Sequence, residues 1–69
     1  MSFSNINRSI EILDEIKSLK KAEKKALQGA KAAHINMQLT DETYPDTVQL
    51  IKDRTEQHIK PLETEYLAL

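Results

Sequence analysis

Apolar residues recur along the first half of the chain at intervals that alternate four and three: Ile12, Ile16, Leu19, Ala26, Ala30, Ala33 and Met37, interrupted once by Glu23. That register is the seam of a helix packed at coiled-coil angles. A second line, Ile6, Leu13, Lys20, Leu27 and His34, repeats every seven residues beside it. Two adjacent lines on one helix predict contact with more than one neighbouring helix. Ser4 or Asn5 is in place as an N-cap, with Phe3 just outside to pack on the first turn, and no proline follows until Pro45. The first helix is therefore predicted over about 5–38.

The stretch LTDETYPDT at 39–47 is the strong turn signal. Pro45 disfavours helix at Tyr44, and Asp46 with Gln49 three residues later reads as a capping box. The turn is expected at about 39–45 and a second helix at about 46–67. Val48, Ile51, Thr55, His58 and Leu62 would form its inner face, with Ile59, Tyr66 and Leu69 close by. Pro61 cannot donate a backbone hydrogen bond to residue 57, so it is expected to kink or restart this helix. The whole chain, residues 1–69, reads as one all-α domain, a two-helix antiparallel hairpin.

At 1.5 Å per residue the two helices would be about 50 Å and about 33 Å long. Folding back near residues 41–42 brings Leu67 only to the level of residue 16, and Ile6, Ile10, Ile12 and Leu13 overhang. Exposing four such side chains forgoes roughly 1.5–3 kcal/mol each, a large share of the roughly 5–15 kcal/mol that stabilises a typical domain. No glycine or proline between 5 and 28 offers a break in the helix. The pattern thus predicts a homo-oligomer, a multi-helix bundle whose simplest form is a dimer of four helices. Its interface is expected to take the overhanging residues, Ile16, Leu19, Ala26, Gly29, Ala30, Ala33 and Met37 from the first helix, and Tyr66 and Leu67 from the second.

Composition sharpens this. The 69 residues include no cysteine, three aromatics, one glycine and two prolines among abundant Lys, Glu, Ala, Leu and Ile, a helical composition. Disulfides are excluded, and two distant histidines without thiols argue against structural zinc. A unit of this size buries a modest fraction of its surface, which again points to partner chains. No apolar run approaches the roughly 20 residues of a membrane span, and the opening MSFSNINRSIEIL lacks the basic-then-apolar layout of a secretion signal. A soluble cytoplasmic protein without a membrane partner is expected.

The net charge of −1 hides a segregation along the chain. Residues 1–16 set Arg8 against Glu11, Asp14 and Glu15, residues 17–40 hold six lysines and one glutamate, and residues 41–69 hold seven acids and three bases. Lys17, Lys24 and Lys31 share one heptad position, with Lys20, Lys21 and Lys25 on or near the same outward face. Like charges at i,i+4 cost a few tenths of a kcal/mol each, roughly, and Glu56, Glu63 and Glu65 are expected opposite to relieve them. The segment has no arginine and no interleaved aromatic, which argues against nucleic acid. The cluster reads mainly as a solvated face partly balanced by the chain's own acids, with an acidic protein surface or a small anionic ligand as the functional alternatives.

Gly29 lies mid-helix, where glycine costs about 1 kcal/mol relative to alanine, so something is expected to approach the backbone there. That something is another helix, or a ligand in a shallow intersubunit pocket whose candidate residues are Lys24, Lys31, His34, Asn36 and Tyr44. His34 is expected near residue 48, about 15 Å from His58, so the two do not form a metal pair. The acidic stretch DETYPD lacks the layout of a calcium loop. Neither histidine has an evident nucleophile or orienting partner. No catalytic residue, metal or cofactor is expected, and the chain reads as non-enzymatic.

A very short helical hairpin that needs copies of itself resembles, in size and architecture alone, the small inhibitors and sequestering proteins encoded by phages and mobile elements. Two functions follow as expectations. One is an oligomeric interaction module that docks on and regulates a partner protein. The other is an oligomeric sequestering protein that holds a small anion, such as a signalling nucleotide, between subunits.

Overall fold

The computed structural model describes residues 3–69. Two helices, α1 (Phe3–Ile35) and α2 (Thr43–Ala68), pack against each other as an antiparallel hairpin, and no strand occurs among the described residues. The Cα envelope measures 53 × 15 × 8 Å, a thin plate with two broad faces. No described helix is long and apolar enough to cross a membrane.

The turn falls three residues earlier than expected, for a reason set at Met37. This residue adopts φ 63°, the left-handed conformation that closes a helix C-terminus. The Gln38 N–H then donates to the Ala33 carbonyl at 2.8 Å and the Met37 N–H to the His34 carbonyl at 3.2 Å. This paired closure is usually made by glycine, because a side chain costs roughly 1–2 kcal/mol in that backbone region. Met37 therefore leaves the α1 seam and stands 92 % exposed in the turn. We expect Met37→Gly to stabilise the hairpin by about 1 kcal/mol, read as a higher urea midpoint by circular dichroism. A lower midpoint would show that the methionine side chain contributes more than its backbone costs.

Helix α2 starts at Thr43 rather than Asp46. Its start is fixed by two threonines: the Thr43 N–H donates to Thr40 Oγ1 at 3.0 Å, and the Thr40 N–H donates to Thr43 Oγ1 at 2.8 Å. The pair braces the turn that leads into the helix with the reciprocity of a capping box, while Glu42, at the cap position itself, makes no side-chain cap hydrogen bond. Tyr44 is helical, its N–H donating to the Thr40 carbonyl at 2.9 Å, so Pro45 sits in the first turn, where a missing N–H costs least. Asp46 is an acidic first-turn residue and not the cap. At the other end, Ser4 and Asn5 lie inside α1 and do not cap it. Helix α2 continues through Pro61 without restarting.

These shifts shorten α1 and lengthen α2, which changes the register between them. Tyr66 and Leu67 share a groove with Leu13 and Ile16, and Glu65 reaches Arg8. With the turn centred near residue 39, Leu67 lies nearer the hairpin's end than residue 16. The expected overhang contracts accordingly. Ile12 does not overhang: it is fully buried, at 0 % exposure, between the helices. Phe3, Ile6, Ile10 and Leu13 remain exposed.

Only Ile12, Ala30 and Ile59 are buried among the described residues, with Ile16, Leu19, Leu27, Ile51, Thr55 and Leu62 half-buried along the same seam. On α2 the buried member is Ile59, and His58 is exposed. Two helices touch along one line, so each isoleucine in it contributes roughly 1.5–3 kcal/mol against roughly 1–2 kcal/mol of backbone entropy for every residue ordered. A seam this narrow is thin support for helices of this length.

Candidate functional site

The lysine run lies on the solvent side of α1. Lys21 is about two and a half turns from both Ile12 and Ala30, the two buried positions of α1, and so points directly away from α2. Lys17, Lys20, Lys24, Lys25 and Lys31 are likewise exposed. Among the described residues no lysine has a carboxylate oxygen within 4.0 Å. The expected internal balance by Glu56, Glu63 and Glu65 is absent as direct pairing. Glu65 is taken by Arg8 instead.

That pairing is the main polar cluster of the fold. Arg8 Nη2 donates to Glu65 Oε1 at 2.7 Å while its Nε donates to the other oxygen, a two-pronged geometry that fixes both side chains. Arg8 also donates to Glu11 at 3.2 Å and lies 3.6 Å from Glu15. The hydrogen bonds from Arg8 hold the Glu65 carboxyl below the usual range, and those to Glu65 and Glu11 raise the guanidinium in turn. The sequence set Arg8 against its neighbouring acids but gave no sign of its pairing with Glu65. Its signal was local, two glutamates three and seven residues ahead on one face of α1.

Of the residues expected to hold a ligand, the structure brings two together. His34 and Tyr44 do come together at the closed end of the hairpin, their rings stacked 4.5 Å apart at 12°. His34 Nε2 also meets Asp41 Oδ1 at 2.8 Å. His34 thus sits at the level of Tyr44, closer to the turn than the expected residue 48. It lines an open cleft of about 490 Å³ with Ile35, Met37, Leu39, Thr40 and Asp41. Lys24, Lys31 and Asn36 do not line that cleft. No group of three or more His, Cys, Asp or Glu among the described residues is arranged to hold a metal ion.

The broad faces of the plate differ. One carries an open groove of about 330 Å³ between Leu13, Ile16 and Lys20 of α1 and Glu63, Tyr66 and Leu67 of α2. The other carries a groove of about 220 Å³ lined by Leu19, Ala22, Glu23 and Ala26 with Ile51, Arg54, Thr55 and His58. At 100° per residue Leu13 and Lys20 fall on one side of the Ile12 seam and Ala22 and Ala26 on the other. The residues expected at the oligomer interface occupy different sides of the hairpin. Ile12 and Ala30 lie within the hairpin, Leu13 and Leu67 on the first face, Ala26 on the second. Gly29 has nothing within 4 Å of the position a Cβ would take, so no part of this chain makes the close approach that its presence predicted.

Comparison of the chain with protein-family models, curated proteins and solved structures finds no match.

Proposed function

We propose that this chain is a non-enzymatic helical interaction module, which associates with copies of itself and presents the lysine edge of α1 to an acidic surface on a partner protein that it regulates. The observation that supports this most directly is the set of six lysines from Lys17 to Lys31, each exposed and none with a carboxylate oxygen within 4.0 Å among the described residues. Like charges one turn apart weaken the free helix by a few tenths of a kcal/mol each, roughly. An acidic partner removes that cost, steers association and makes it sensitive to salt.

The competing reading, a small anion held near His34, has less support from the geometry. The ring nitrogen that would greet an anion already faces Asp41, and the nearest candidate lysine, Lys31, does not line the cleft. A carboxylate at that spot repels the ligand the site would need.

The test uses Lys21 and Lys25, which face away from α2. The tagged chain is expected to retain a specific protein from a lysate of its source cell, and raised salt to release it. A Lys21→Glu, Lys25→Glu double variant with unchanged helix content should fail to retain it. Equal retention by the variant, or a captured partner with no acidic surface, would remove the lysine edge from the function.

A further inference from the structure

We infer that the face carrying Leu13, Ile16, Tyr66 and Leu67 is covered by a second copy of this chain, packed with the same ends together about a two-fold axis that runs along the hairpin. The inference deepens the proposed function, resting on the self-association in that reading and adding the face and the direction.

Three observations fix the occupant. Leu13, Tyr66 and Leu67 are 51 %, 41 % and 84 % exposed around one groove, and Ile6, a heptad before Leu13, extends the line at 44 %. The opposite face is different at this end, where Arg8 already engages Glu11, Glu15 and Glu65, and further along its groove is floored by Ala22 and Ala26. A broad face of 53 by 15 Å also matches the roughly 800 Å² per partner that a stable interface buries.

Charge sets the direction. A two-fold contact requires that any residue meeting another be met by it in return. With opposite ends together, α1 stacks on the second α1 about its own middle, and the lysine run from Lys17 to Lys25 meets its copy. With the same ends together, α1 stacks on the second α2, so Lys20, the lysine that lines the groove, faces Glu63 of the other chain while Lys21 and Lys25 stay at the outer edge. The groove already holds both signs, Lys20 on its α1 side and Glu63 on its α2 side, so one rotation pairs each with the other twice. Ile6, Leu13 and Leu67 of both copies then gather at one end of a four-helix bundle.

The experiment is equilibrium sedimentation of the full chain at micromolar concentration, with circular dichroism on the same samples. The expected mass is twice 7.9 kDa. Leu13→Glu and Leu67→Glu should each lower it to the monomer mass or abolish the fold, whereas Ala26→Glu on the other face should leave the dimer intact. Because an unfolded variant says little about direction, a charge cycle accompanies it. Lys20→Glu and Glu63→Lys should each weaken the dimer about tenfold, and the two together should restore it. Direction is read from single cysteines in this otherwise cysteine-free chain. Leu13→Cys mixed with Leu67→Cys should form a disulfide faster than Leu13→Cys mixed with Leu27→Cys. A monomer at these concentrations, a dimer broken by Ala26→Glu and not by Leu13→Glu, a double charge variant no tighter than the singles, or the reverse cysteine preference would each overturn the inference.

Discussion

Replacing Ile12 with alanine is expected to destabilise the protein by about 2–5 kcal/mol, the range for deleting a fully buried aliphatic side chain. Ile12 is the one side chain with no exposed surface among the described residues, in a core of three. A cavity there has no second layer to collapse into it, because beyond the seam is solvent. Most of the variant should therefore be unfolded at concentrations where the parent shows a sigmoidal melt. Ile12→Val, which keeps the branch and removes one methyl, should cost only about 0.5–1.5 kcal/mol. Leu13→Val, one residue on but half exposed, should cost less still in a monomer. Urea unfolding by circular dichroism at one fixed protein concentration checks the order, since association shifts apparent stability by mass action. A loss at Ile12 no larger than at Leu13 would place the core elsewhere.

The same residue shows how far the sequence could be read. The alternating spacing through Ile12, Ile16 and Leu19 named the inner face of α1 correctly, because period 3.6 is fixed by backbone geometry and does not depend on a partner. The depth of burial was misjudged because it depends on register, and register depends on where the turn closes. That closure is made by Met37 in a left-handed conformation and by two threonines standing in for a threonine–glutamate pair. Both substitute for residues that normally announce these structures, glycine at a helix end and glutamate three after a cap. The one glycine, Gly29, sits mid-helix in open space, so the usual marker pointed away from the turn. An error of three residues at the turn carried Leu67 further toward the start of α1 than expected and brought Ile12 under cover.

The lysine edge was legible as an exposed face, and its partial balance by the chain's own acids takes no form of direct ion pairing among the described residues. Heptad arithmetic placed Lys17, Lys24 and Lys31 together, and all are exposed. What it could not supply is which acid each base meets, because that is decided by side-chain reach and competition. Arg8, with a planar fork that matches a carboxylate, holds Glu65 by two hydrogen bonds, and a lysine ammonium offers no such geometry. His34 is a similar case. Its position near the turn was anticipated, but its stacking on Tyr44 and contact with Asp41 follow from the same early closure.

Pro61 gives the largest expected gain. It is exposed within an otherwise continuous α2, where proline is about 3 kcal/mol worse than alanine and leaves the residue 57 carbonyl without its donor. Alanine also loosens the unfolded chain, which offsets roughly 0.4–1 kcal/mol, so Pro61→Ala should stabilise the hairpin by about 2 kcal/mol. Pro61 stands on the outer side of α2, between the buried Ile59 and the half-buried Leu62. A proline on the convex side favours curvature of a helix toward its inner face, which would bring the segment beyond it, with Tyr66 and Leu67, toward α1. Those two residues form one wall of the groove assigned to the second copy. Pro61→Ala is thus expected to raise the urea midpoint of the hairpin while weakening self-association at the same concentration. If both rise together, the groove does not depend on the curvature, and the proline is only a cost carried by the helix. If the midpoint falls, the bend is needed to keep Ile59 in the seam.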